Sequence, residues 1–391
     1  MHIAFITPEY PHSRVRNSAG IGTSIKNLAL GILSEDLLLP AGKAGSLKHK
    51  ISIIIYGQKE EDSFKDGDIH VHLIKRKQYR LGGFYWYRKY VNRKVNALVL
   101  KNHIDILEAP DWTGITAFMK FKIPHVIRLH GTDTYFCNLE QRPQKKKNYF
   151  FEEKALTNAD AITSVSRFTA SKTKELFNLS SDITVIHNLI DTSLFVPKEK
   201  SSTQQIILYF GSVIRKKGVL ALSKAFNVLH NTHPKVKLLF LGKDVVDYQE
   251  QRSTVDIITE TVSKSALNNI QFVSEVSYER VQEFIAEASV ICLPSYAEAF
   301  PMTWLEAMAM QKPMVTSNIG WASEIMENHK TGITVDPNNI EDLAGALQYT
   351  LDHKEESKQF GKAARERLVS NFNRERIVQE NITFYKKVLG V

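Results

Sequence analysis

"SVICLPSYAEAFPMTWLEAMA", Ser289 to Ala309, carries a strand, a loop and a helix in one short stretch. "SVICLPS" is an apolar run of strand length, broken at its end by proline and serine. A helix-length segment follows from Pro301. Proline is tolerated at a first helical position and disfavours helix in the residue before it, so the helix starts there. Two acids flank that start. In one continuous helix, Glu298 and Glu306 would lie roughly 12 Å apart along the axis and could not share a small ligand. With the break, Glu298 sits on the loop at the helix mouth. Glu306 falls in the second turn, its side chain leaning back toward that mouth. The backbone N–H groups of Phe300, Met302 and Thr303 lie between them and suit an anion. Taken alone, the stretch equally fits a capping acid and a solvated helix glutamate.

The same strand–helix alternation runs through almost the whole chain, the pattern of doubly wound parallel sheets. Strands are expected at "HIAFIT", "ISIIIYG", "HVHLIK", "IDILEAP", "PHVIRLH", "DAITSVS" and "DITVIHN" in the first half. In the second half they fall at "QIILYFG", "VKLLFLG", "NIQFVS", "SVICLPS", "PMVTSN" and "GITVDP". The polar stretch "DTSLFVPKEKSSTQQ", Asp191 to Gln205, reads as a linker between them. With 391 residues, two domains are expected, at 1–195 and 196–375, followed by a terminal helix over 376–391.

Composition narrows the class. An apolar fraction of 43% with 24% charged residues describes a globular protein, and no apolar run is long enough to span a membrane. Two cysteines, Cys137 and Cys292, are too few for a disulfide framework. Together with a start that runs directly into a strand, they suggest a cytoplasmic protein. The charge is uneven: residues 1–200 hold 30 Lys and Arg against 20 Asp and Glu, the remainder 21 against 22. Much of the excess lies in "KRKQYRLGGFYWYRKYVNRKVNALVLK", Lys75 to Lys101, with nine basic residues, six aromatics and no acid. That stretch suggests an anionic acceptor or peripheral association with an anionic membrane, against a solvated helix face as the plainer reading. Nucleic acid is not expected, since no recognition motif accompanies the charge.

Ligands of such sheets bind outside the carboxyl ends of the strands. Four loops, three of them marked by glycine, follow strands there: "AGIG" (Ala19–Gly22), "HGTD" (His130–Asp133), "GSVIRKKG" (Gly211–Gly218) and "AEAFPMTWLE" (Ala297–Glu306). Arg215, Lys216 and Lys217 on a glycine-flanked turn suit a diphosphate. One carboxylate, Glu306, can accept from both hydroxyls of a ribose, and Glu298 can orient the hydroxyls of a sugar.

The E-x7-E spacing at Glu298–Glu306, the "RKKG" turn, "RLHG" at Arg128–Gly131 and "VIHNLIDTSLF" at Val185–Phe195 occur in one order. Together they resemble family four of the retaining glycosyltransferases. The resemblance implies a GT-B fold, α/β, with two Rossmann-like doubly wound domains facing an interdomain cleft. It implies a nucleotide-sugar-binding second domain, an acceptor-binding first domain and a terminal helix crossing back to the first. Carried over, it puts Glu306 on the ribose, Glu298 on the transferred sugar, and the backbone of Ala299, Phe300, Pro301, Met302 and Thr303 beside sugar and phosphate. Gly211, Arg215 and Lys217 would hold the diphosphate and His130 would sit beside the reacting sugar. The Gly20–Gly22 loop would close over the phosphates. Ser212 stands where the family often has arginine, so that role passes to Arg215. The segment 34–50 is longer than typical.

The implied reaction is retaining transfer of a hexose-type sugar from a nucleoside diphosphate donor, with uridine as the base, to a saccharide or lipid-linked acceptor. It would use no metal and no cofactor beyond the donor. Asp111, Trp112 and Asp133 are candidates for the acceptor side. "DGD", Asp66–Asp68, reads as a tight turn before it reads as a metal site, and His70 and His72 lack further ligands at matching spacing. A dinucleotide oxidoreductase lacks its glycine fingerprint here. An epimerase or phosphorylase on the same fold, and a non-catalytic nucleotide-sugar binder, remain open on sequence.

Overall fold

A computed structural model describes residues 1–38, 49–198, 203–274 and 276–391. The chain divides into two compact units: Met1–Leu189 with Asn373–Val391, and Ile190–Phe372. These boundaries fall a few residues before the expected 195/196 and 375/376. The final segment is part of the first unit.

The first unit is built on an eight-stranded sheet: β1 (His2–Thr7), β2 (Lys50–Gln58), β3 (Asp62–Asp66), β4 (Ile69–Lys75), β5 (Ile106–Pro110), β6 (His125–Leu129), β7 (Ala161–Ser164) and β8 (Ile183–Val185). Its order is β3-β4-β2-β1-β5-β6-β7-β8. Every neighbouring pair is parallel except β3–β4. All residues of β1, β5 and β6 are buried, the charged Glu108 and Arg128 included, so these strands read as mainly apolar stretches. The polar β3, "DSFKD", was not anticipated. It is an edge strand alternating in burial, and "DGD" turns it back into β4 with Gly67 at φ +59°. Asp66 there takes Lys26 and the Tyr10 hydroxyl, both at 2.8 Å, and His72 meets Ser63 at 2.9 Å. Among the described residues no group of three or more His, Cys, Asp or Glu could hold a metal ion.

The helix Gly83–Asn102 buries Tyr90, Val91, Val95 and Val99 against Ala4, Ile6, Ile54 and Leu107 of this sheet. The terminal helix Arg374–Leu389 packs on the helix Gly20–Leu38. Gly31 permits the approach: a Cβ there would lie 2.7 Å from Val378 Cγ2. The helix is fastened by polar groups as well. Arg128 and Glu108 form a buried bidentate pair at 2.7 and 2.9 Å. The Arg128 guanidinium also donates to Asn381 Oδ1 at 2.5 Å, and the Tyr385 hydroxyl donates to Glu108 at 2.8 Å. Of the longer segment 34–50, residues through Leu38 continue the helix from Gly20; residues 39–48 lie outside the described residues.

The second unit carries six strands: β9 (Ile206–Phe210), β10 (Lys237–Leu241), β11 (Ile270–Val273), β12 (Val290–Leu293), β13 (Met314–Ser317) and β14 (Ile333–Val335). Their order is β11-β10-β9-β12-β13-β14, all parallel. The order reverses between β9 and β12, which marks the ligand-binding end of such a sheet.

Candidate functional site

At that reversal, the loops after β9 and β12 are stitched together. Gly218, at φ +74°, passes so close to Pro294 that a Cβ would lie 2.0 Å from its carbonyl oxygen, so no other residue fits. The Tyr296 N–H donates to the Lys216 carbonyl at 2.8 Å. This brings Lys217 Nζ to 2.7 Å from Glu298 Oε1, which also accepts from the Ser295 hydroxyl at 3.0 Å. Gly211 (φ +128°) faces the start of the next helix, with Thr303 Cγ2 3.9 Å from where its Cβ would be.

Pro301 has extended backbone (φ −71°, ψ 119°), and the helix runs Met302–Ala309 with no side chain capping it. The proline is therefore the residue before the helix, one position earlier than expected. Ala299, Phe300 and Met302 are buried along this entry. Glu306 is buried too and accepts from the Tyr278 hydroxyl at 2.9 Å. Burial pushes its carboxyl up to about 7, opposed by the Tyr278 hydrogen bond and the Lys217 charge. One lysine thus acts electrostatically on both acids.

Arg215 is placed otherwise. It makes a bidentate pair with Asp247 at 2.7 and 3.0 Å and reaches Glu250 at 3.1 Å. Asp247 is itself buried and holds the Gln249 and Glu250 amides, both at 2.9 Å. The guanidinium braces that loop through Nε and Nη2, whereas Lys217 is the cation of the turn that meets the acids.

The first unit gathers its own set of loop residues. Gly20 and Gly22 do not form a loop: they open the helix Gly20–Leu38. The Gly22 N–H donates to Glu9 Oε1 at 2.9 Å. The Glu9 carboxyl is raised by burial, with the Gly22 and Ile21 amides pulling it down. An internal anion thus occupies the amide assigned to phosphate. Asp111 is fully buried and accepts from the His130 and Gly131 amides at 2.9 and 3.1 Å. Burial raises it to about 8. Asp133 is held by Arg142 and Asn148, both at 2.7 Å. Neither acid is turned outward, so their acceptor-side assignment is corrected: Asp111 shapes the "HGT" turn and Asp133 anchors the following helix. Trp112 is half-buried, its ring edge-on to Phe136. His130 lines a pocket with Ser24, Arg128 and Asn188. Burial and the Arg128 charge push its imidazole down to about 3.

Sequence reasoning missed Tyr278, Ser295 and Asp247. Only Ser295 had a signal, three residues before Glu298.

Two tandem Rossmann sheets with a lysine–carboxylate cluster at the second switch point define the GT-B class. The model for "Glycosyl transferases group 1" matches residues 191–367 and that for "Glycosyltransferase Family 4" residues 43–194, so the chain belongs to the family-four glycosyltransferases. It is 27% identical over 277 residues to a glycogen synthase of Mycobacterium tuberculosis, covering 69% of this chain and 65% of that protein. Among solved structures it resembles sucrose-phosphate synthase from Thermosynechococcus elongatus, with a TM-score of 0.82 at 20% identity over 100% of this chain and 99% of that one. Anabaena HepE, solved in complex with UDP and glucose, matches with a TM-score of 0.73 at 16% identity over 99% of this chain and 100% of that one.

Proposed function

We propose that the protein is a retaining, metal-independent glycosyltransferase that moves a hexose-type sugar from a uridine diphosphate donor to a saccharide or lipid-linked acceptor in glycan assembly. The observation that carries this reading is the Lys217–Glu298–Glu306 cluster at the switch point of the second sheet. In this reading the donor diphosphate lies against Lys217 and the uncapped amides of Met302 and Thr303, where a helix N-terminus favours negative charge. The ionised Glu306 accepts from the ribose hydroxyls, with Tyr278 fixing its other oxygen. Glu298 exchanges part of its contact with Lys217 for hydroxyls of the transferred sugar.

As the bond from the anomeric carbon to the phosphate oxygen opens, negative charge grows on the diphosphate and positive charge on the sugar ring. Lys217 and the amides stabilise the first; Glu298 stabilises the second. The departing phosphate oxygen takes the acceptor hydroxyl's proton while that hydroxyl's oxygen bonds to the anomeric carbon on the same face, so the configuration is kept. His130 stays neutral throughout and serves as a hydrogen-bonding group. Support for uridine comes from HepE, a neighbour in fold that was solved with UDP. Calorimetric titration with UDP, ADP and GDP tests the donor, followed by mass spectrometry of products from UDP-sugars. The expected outcome is tight UDP binding lost in Lys217→Ala and slow release of UDP from a UDP-hexose. Equal, weak binding of all three nucleotides by wild type and variant would refute the assignment.

A further inference from the structure

The helix Gly83–Asn102 has an exposed face that its fold does not use. Its inner side is fully packed through Val91, Val95 and Val99. On the outer side Trp86, Lys89, Arg93, Ala97 and Leu100 recur at steps of three and four, so they form one stripe. Trp86 is 54% exposed and Leu100 57%, and Leu81, on the turn leading into the helix, is 86% exposed. Large apolar side chains this far in solvent, in one stripe, mark an interaction surface.

Ring contacts extend the apolar part sideways. Trp86 meets Tyr85, Tyr85 meets Phe118, and Phe118 meets the exposed Phe150. Phe84, also exposed, packs on Phe151 beneath Lys147, whose ammonium sits 4.2 Å from the ring centroid. Among the described residues Arg80, Lys89 and Arg93 have no carboxylate partner; the Lys89 ammonium lies 5.6 Å from the centroid of the Tyr85 ring. Others are taken up: Arg88 turns inward to the carbonyls of Phe84, Thr113 and Gly114, and Lys94 pairs with Glu61 at 2.8 Å. From Lys75 to Lys101 no acid interrupts the stretch.

We propose that this face of the helix Gly83–Asn102, with Leu81 and Phe150 beside it, docks the protein on an anionic lipid bilayer. The charge complementarity selects that occupant. Indole and phenyl rings sit at the level of lipid headgroups, and unpaired lysines and arginines beside them gain from an anionic surface. Among the described residues no helix is long and apolar enough to cross a membrane, so the attachment is to one leaflet's surface. Because the helix is already folded and packed, docking orders no segment.

The test is vesicle flotation of the full chain with phosphatidylcholine alone and with added phosphatidylglycerol, read alongside tryptophan emission. Wild type is expected to bind the anionic vesicles at least about ten-fold more tightly than neutral ones, falling with salt. Its emission should shift to the blue, and the shift should vanish in Trp86→Phe. Two triple variants separate the contributions: Leu81→Ser/Trp86→Ser/Leu100→Ser and Arg80→Ser/Lys89→Ser/Arg93→Ser. Each should lower vesicle affinity about ten-fold or more while nucleotide affinity and thermal melting stay at wild-type values. Binding indifferent to lipid charge, or unchanged in both triple variants, overturns the proposal. So does a wild-type dimer in light scattering that the first variant dissolves without any vesicle binding, since the face would then belong to a second copy of the chain.

Discussion

Each unit carries a cation–carboxylate pair, the first on β5 and β6 and the second on the loops after β9 and β12, and the two pairs differ in how fully they are used. Arg128 and Glu108 are 4% and 3% exposed, joined by two hydrogen bonds, and closed off by Asn381 and Tyr385. Lys217 and Glu298 are 21% and 11% exposed and meet through one short contact. A guanidinium fork locked onto a carboxylate has little left to offer a ligand, whereas an ammonium holds three rotatable donors on a flexible stem. Saturation, not charge, separates the brace from the proposed donor site. Arg215 shows the intermediate case inside the second unit: Asp247 and Glu250 hold its Nε and Nη2 against the neighbouring loop.

The sharpest way to break the comparison is to remove the cation from each pair. Arg128→Ala strands a buried Glu108 and should lower stability by about 3–5 kcal/mol in urea unfolding. Arg128→Met with Glu108→Gln should recover much of that loss, and no recovery would show that the pair is not the cause. Lys217→Ala should leave melting near wild type yet slow turnover about 100- to 1,000-fold, because the lost interaction forms with the leaving group. A variant that melts early and turns over normally would exchange the roles of the two pairs.

Smaller effects sharpen the picture. Asp111→Asn keeps one acceptor for two amides and removes the other. It should cost about 1–3 kcal/mol of stability, measurable in denaturant, with UDP affinity unchanged. The smallest effect concerns pH. Glu306 has its carboxyl raised to about 7, and ribose recognition needs the ionised form. Lowering pH through that value protonates it, so UDP should bind about ten-fold more weakly at pH 6 than at pH 8. Glu306→Gln should bind weakly at both and lose this dependence. The same shift has the opposite sign for the empty protein. The neutral carboxyl is favoured in the folded state, so its contribution to stability is complete below the ordinary glutamate range and is lost as pH rises through 7.

The central strands were legible because they are buried on both faces and appear as mainly apolar stretches between turns. The exception is β3, which escaped because a polar edge strand has no such run. In the site, Pro301 gave away the geometry of Glu298 and Glu306, since its backbone rules apply in any context. What could not be read were partners distant in sequence: Asp247 for Arg215, Tyr278 for Glu306 and Glu9 for the amide of Gly22. Each takes up hydrogen-bonding capacity that looks free in isolation, and nothing local in sequence records which side chain will arrive.

The helix Arg374–Leu389 gives the first unit a peculiar assembly schedule. Its fastening residues, Asn381 and Tyr385, leave the ribosome after all of Ile190–Phe372, which is contiguous and can fold as soon as it emerges. At the usual pace of translation, roughly 5–20 residues per second, Glu108 and Arg128 wait on the order of ten seconds or more for their last two partners. The half of the protein that is made first is therefore the half that is finished last.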